Sequence, residues 1–132
     1  SFHLSSGGRE IGYMYGQYKR LTNKHGEGVL TGKSVNFGGS PLRPEATGYG
    51  LVYISQLAVQ KQLGKASLAG MRCAVSGSGN VAQYACQKLM QLGAHILTVS
   101  DSDGVLLFDQ NEDGMTQEDW EKVTQCKQVQ RG

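Results

Sequence analysis

The sequence has few residues able to bind a metal, and none in the spacings that metal sites use. Cys73, Cys86 and Cys126 are odd in number and far apart, with no Cys-x-x-Cys pair. They read as buried reduced thiols of a cytoplasmic protein rather than a disulfide framework or a zinc site. His3, His25 and His95 show no ligand spacing either; His25 falls in a polar turn and His95 opens a strand, and no metal is expected. Charge is sparse and mixed, with 13 Lys and Arg against 11 Asp and Glu and a formal net charge of +2. Without a basic block or a basic–aromatic stripe, nothing points to nucleic acid. No run approaches the roughly 18–20 apolar residues of a membrane span, so no membrane partner is expected. Residues 1–6 lack the basic and apolar regions of a secretory signal. They also lack an initiating methionine, which suggests that the chain starts within a longer protein.

Glycine, by contrast, is abundant. The 19 glycines in 132 residues are about twice the usual share. Most stand beside expected element ends, where a backbone can approach a ligand: Gly7-Gly8, Gly38-Gly39, Gly48/Gly50 and Gly77/Gly79. The most informative stretch is Gly77-Ser78-Gly79-Asn80-Val81-Ala82. An apolar run over residues 71–76 precedes it and reads as a buried strand. Val81, Ala85, Leu89 and Leu92 follow at helical spacing, up to Gly93. A Gly-x-Gly-x-x-Ala turn between strand and helix brings backbone N–H groups and the positive end of the helix dipole to a diphosphate. The first glycine allows the tight turn, the second leaves room for phosphate, and Ala82 lets the helix lie close to the strand. Residues 96–100 read as a second strand leading to Asp101, 24 residues after Gly77 and near the usual place of a ribose-binding acid. The alternative is a structural glycine turn without a ligand.

Elsewhere the pattern predicts a helix over 9–25 with an apolar stripe of Ile11, Met14, Tyr18 and Leu21. A short extended segment over 29–31 and a loop to Leu42 follow. A second helix starts near Pro44 and runs to Leu63, ending at Gly64, with Leu51, Ile54, Leu57, Ala58 and, at its end, Leu63 facing a core. Arg43 and Thr47 lie at its positive end, as cap, surface or ligand contacts. Residues 105–108 form a third strand or a hairpin arm. Thr116-Gln117-Glu118-Asp119 resembles a capping box for a last helix carrying Trp120 and Val123. The expected fold is α/β: a partial Rossmann-type, doubly wound parallel sheet, preceded by helices from an inter-domain region. A complete sheet of that kind needs about five or six strands, so the sequence reads as part of a longer polypeptide.

Five segments in order resemble the hexameric glutamate dehydrogenases of the amino-acid dehydrogenase family. They are residues 7–14, Val29-Leu30-Thr31-Gly32-Lys33, Gly38-Gly39-Ser40, Arg43-Pro44-Glu45-Ala46-Thr47-Gly48-Tyr49-Gly50, and residues 75–82. The resemblance implies reversible oxidative deamination of L-glutamate to 2-oxoglutarate and ammonia, in a homo-hexamer when full length. It makes residues 1–42 the end of a substrate domain with an inter-domain segment, and residues 43–132 the N-terminal part of an NAD(P)-binding Rossmann domain. It also implies coenzyme contacts from Arg43, Thr47, Gly77, Ser78, Gly79, Asn80, Val81, Asp101 and Ser102, with Thr47 at the nicotinamide amide. The family's catalytic aspartate falls at His3, so no catalytic residue is assigned in this chain. Lys33 lies downstream of the family's catalytic lysines and takes a solvated or structural role.

Two arguments bear on the coenzyme. A carboxylate at Asp101 suits the free 2′-hydroxyl of NAD and repels a 2′-phosphate. Ser78, the Ser100-Asp101-Ser102 run and Gly48-Tyr49-Gly50 resemble the NADP-dependent branch, with serine hydroxyls to donate to phosphate and basic residues from elsewhere in the protein to offset Asp101. NADP is the expected coenzyme and NAD the alternative. Competing readings are a non-catalytic dinucleotide-binding module and a related leucine or phenylalanine dehydrogenase.

Overall fold

The computed structural model describes residues 7–25, 28–41, 44–108 and 113–127. The chain divides into two compact units, Ser1–Arg43 and Pro44–Gly132.

In the first unit, α1 (Gly8–Thr22) ends at Asn23 in the left-handed conformation, with Lys19 and Arg20 in the last turn where they complement the dipole. It buries Ile11 and Tyr15, whereas Met14 and Leu21 of the expected stripe are exposed. The Tyr15 ring lies 5.9 Å from that of Phe37, in a short 3-10 turn over Val35–Phe37. Lys33 is buried with its ammonium against the Leu30 carbonyl and 5.6 Å from the Tyr15 ring, a structural placement. The extended segment expected over 29–31 is instead irregular: Val29 lies in a turn and Thr31 in a bend that leads into left-handed Gly32.

The second unit contains α2 (Ala46–Leu63), β1 (Arg72–Val75), α3 (Asn80–Gln91), β2 (His95–Asp101), β3 (Gly104–Leu107) and α4 (Gln117–Gln125). The sheet order is β1-β2-β3. β1 and β2 are parallel, joined through α3 as the β–α–β unit the glycine turn predicts. β3 returns antiparallel to β2 and is the hairpin arm. The register of β1 on β2 slips between Cys73 and Ala74, leaving Leu97 as an extra residue. That irregularity explains why the buried residues of β2 are Ile96 and Val99, three apart rather than two.

The core joins Val52 of α2, Ala85, Cys86 and Leu89 of α3, and Ile96 and Val99 of β2, with Leu68, Ala94 and Met115 from the connections. One expected core face is wrong, and the expected stripe of α3 holds except at its first residue. Leu51, Ile54, Leu57, Ala58 and Leu63 are exposed, because α2 turns Gly48 and Val52 inward. In α3 the expected Ala85 and Leu89 are buried, together with Ala82, Gln83 and Cys86, whereas Val81 is 41% exposed. Small residues, Gly48 and Ala85, meet where α2 crosses α3 and allow a close approach, so the buried face of α2 is not its more hydrophobic one. Tyr49 completes the α2–α3 contact, donating to Gln87 Oε1 at 2.9 Å, with the Lys88 ammonium 5.0 Å from its ring.

Candidate dinucleotide site

The turn from β1 to α3 is built by backbone geometry. Gly77 has φ +92°, a left-handed conformation that side chains rarely tolerate. Gly79 precedes α3 with extended backbone and, having no side chain, supplies no cap bond to the first turn of that helix. A Cβ on Gly79 would meet nothing within 4 Å, so the space in front of the turn is open. Gly77 N–H is fixed from behind by Ser100 Oγ at 3.2 Å. A free helix N-terminus facing open space is suited to an anion.

At the end of β2, Asp101 gathers partners. Ser78 Oγ donates to its Oδ2 at 2.6 Å, and Ser102 N–H donates to Oδ1 at 2.7 Å. The Lys127 ammonium pairs with Oδ2. Lys127 first, then the Ser78 hydroxyl and the Ser102 N–H, hold the Asp101 carboxyl well below the usual carboxylate range, and Asp101 in turn raises Lys127. The capping box of Thr116 and Asp119 starts α4, which ends in a π turn carrying Cys126 and Lys127. Beside this cluster is an open cavity of about 300 Å³ whose walls include Ser78, Val99, Asp101, Val123, Cys126 and Lys127. It lies at the carboxyl end of β2, where open α/β sheets bind ligands.

The structure therefore brings together Gly77, Ser78, Gly79, Asn80, Asp101 and Ser102. Val81 stands in the first turn of α3, exposed, with its carbonyl against Gly48 of α2; Thr47, just before Gly48, is exposed in the first turn of α2. Arg43 and His3 lie outside the described residues. Ser78 departs from expectation, because it is only 8% exposed and its proton is committed to Asp101, so it does not donate to a phosphate in this arrangement. The positive charge expected from elsewhere in the protein comes from Lys127 of this chain. No local pattern marks Lys127, since it reaches Asp101 through tertiary folding across 26 residues.

Residues 38–132 match a family model described as Glutamate/Leucine/Phenylalanine/Valine dehydrogenase. The NADP-specific glutamate dehydrogenase of Neurospora crassa is 52% identical over 128 residues, which are 97% of this chain and 28% of that protein. The NAD(P)-specific glutamate dehydrogenase of Xylanibacter ruminicola is 52% identical over 129 residues, 98% of this chain and 28% of that one. Among solved structures, glutamate dehydrogenase from Plasmodium falciparum superposes with a TM-score of 0.78 at 48% identity, covering 98% of this chain and 27% of its own. The chain thus spans a little over a quarter of the length of the relatives it matches. From its glycine turn to its last helix, it belongs to the glutamate/leucine/phenylalanine/valine dehydrogenase family.

Proposed function

We propose that the protein carrying this chain is an NADP-dependent glutamate dehydrogenase, catalysing reversible oxidative deamination of L-glutamate to 2-oxoglutarate and ammonia. The glutamate part of this reading rests on the likeness to NADP-specific glutamate dehydrogenases, and the observation that carries the choice of coenzyme is the Lys127–Asp101–Ser78 cluster beside the glycine turn. An Asp101 whose oxygens already accept from Ser78, Ser102 and Lys127 is neutralised and committed within the protein. It therefore does not take the place of a free acceptor for a ribose 2′-hydroxyl. Lys127 lines the cavity beside Asp101, and the ammonium donors not used on the carboxylate suit a 2′-phosphate there. The open space at Gly79 and the uncapped start of α3 fit the diphosphate.

In this reading the N–H groups around Gly79 and Asn80 hold the diphosphate, and Lys127 and Ser102 bind the 2′-phosphate. Thr47, and Arg43 beside it in sequence, orient the nicotinamide end. When bound, the coenzyme accepts hydride from the amino acid or returns it to the imino acid. This chain supplies binding and orientation, while the acid–base groups belong to the substrate domain, whose end is residues 1–42. Three free thiols support a cytoplasmic location, and the family resemblance supports a homo-hexamer. Steady-state assay of the whole protein with glutamate and either NADP or NAD tests the proposal. Glutamate-dependent reduction favouring NADP is expected; preference for leucine or phenylalanine, or for NAD, overturns it.

A further inference from the structure

Gln83 is 3% exposed inside α3, an unusual place for a primary amide unless its hydrogen bonds are made. Its Nε2 donates to the carbonyl of Ser78 at 2.7 Å. Its backbone N–H donates to the carbonyl of Gly79 at 2.9 Å. Its own carbonyl accepts Trp120 Nε1 at 2.7 Å, which ties residue 83 to α4. One residue therefore holds both peptide planes that flank Gly79. In a trans peptide the C=O and N–H point in opposite directions. With the Ser78 and Gly79 carbonyls drawn inward to Gln83, the N–H groups of Gly79 and Asn80 turn outward. A Cβ on Gly79 itself would meet nothing within 4 Å, so the turn is not covered there.

We propose that Gln83 is a positioning residue for the coenzyme, aiming the Gly79 and Asn80 N–H groups at the diphosphate by holding the carbonyls behind them. This rests on the coenzyme reading above and adds a residue to it that touches no part of the ligand. The backbone bond is common to any helix; the side-chain bond to Ser78 is particular to glutamine at this position. An apolar residue there would leave the Ser78 peptide free to rotate, and the N–H fan would lose its aim before coenzyme arrives. Trp120 extends the device, since it holds residue 83 from α4, the helix that also delivers Lys127.

Two probes separate aim from general damage. NADPH engages the diphosphate site, whereas 2′-AMP carries the 2′-phosphate and adenosine but no 5′-phosphates. In the whole protein, Gln83→Met keeps the volume and removes the donor. Its NADPH dissociation constant is expected to rise about tenfold, the range for losing well-aimed bonds to a charged group. Its 2′-AMP dissociation constant is expected to change less than twofold. Trp120→Phe removes only the outer tether and gives a smaller loss, about threefold, again for NADPH alone; it carries the test if Gln83→Met does not fold. Unchanged NADPH binding in the variants overturns the inference, and so does a parallel loss for both probes, which marks a purely structural role. A wild-type protein that binds neither probe overturns the coenzyme reading instead.

Discussion

Gly48 of α2 lies so close to Val81 of α3 that a Cβ on it would come 2.7 Å from the Val81 carbonyl oxygen, and 2.8 Å from Ala85 N. Both obstacles are backbone and cannot step aside as a side-chain tip would. Gly48→Ala is therefore expected to destabilise the second unit by about 1–3 kcal/mol through overpacking, despite alanine's better helix propensity. Thermal or denaturant unfolding measures it, and a stabilised variant would refute this account of the crossing.

Gly79 gives the opposite expectation. Its φ of −75° suits any residue, and open space lies around it, so Gly79→Val leaves the fold near wild-type stability. The space a valine would fill is the space assigned to the diphosphate. NADPH affinity is expected to fall well over tenfold, about 1.4 kcal/mol or more, with little change in unfolding midpoint. Retained affinity in a fluorescence titration would move the diphosphate elsewhere.

Removing the cation at the cavity rim separates the two coenzymes. Lys127→Met leaves Asp101 without its counter-charge and next to any 2′-phosphate. NADPH binding is expected to weaken about ten- to hundredfold, as for a lost charge-assisted contact, while NADH binding stays level or improves. Equal losses for both coenzymes, measured as kcat/KM ratios, would place Lys127 outside the 2′-phosphate site.

The pH response follows from the same pair. Asp101 is lowered by Lys127 and Ser78, so its contribution is present above its unfolded value, about pH 4, and fades only as pH falls through the folded one. Lys127 is raised by Asp101, so its contribution holds up to the unfolded value near about pH 10 and fades as pH rises through its folded one. Between those limits the pair does not titrate. A phosphate monoester gains its second charge near about pH 6. NADP⁺ affinity should therefore rise severalfold across that point, with NAD⁺ affinity flat by calorimetry. Parallel profiles would mean that the phosphate does not face Lys127.

The thiols differ in environment. Burial pushes the Cys86 thiol up to about 11, whereas Cys126 is exposed on the cavity wall. Iodoacetamide is expected to label Cys126 in the native protein, with NADPH slowing the reaction, and to reach Cys86 only on unfolding. Mass spectrometry of labelled peptides checks both statements. Coenzyme that leaves the Cys126 rate unchanged would separate this cavity from the bound ligand.

The β–α–β unit was legible because its signals are local: an apolar strand, a glycine turn and a helix ending at Gly93. The box at Thr116 and Asp119 was legible for the same reason, and the structure has both of its reciprocal bonds. The inner face of α2 was not. Leu51, Ile54 and Leu57 form the hydrophobic side by composition, but close approach of two backbones selects Gly48 instead. Hydrophobic periodicity registers bulk and misses a contact made by having no side chain. Lys127 and Gln83 escaped for a different reason. A surface-type lysine and a mid-helix glutamine gain their roles from groups 26 and 5 residues away, Asp101 and Ser78, and no repeat or motif records such pairings.

Lys127 reaches Asp101 from a widened π turn and not from the regular end of α4. Each residue of an α-helix advances it by about 100°. Deletion of one codon between Trp120 and Lys127 would swing the ammonium about that far from the carboxylate, with Trp120 still anchored to α3. If Lys127 binds the 2′-phosphate as proposed, nucleotide preference becomes a matter of helical phase, and loss of one uncharged residue among Val123, Thr124, Gln125 and Cys126 would alter it while every charged side chain survives.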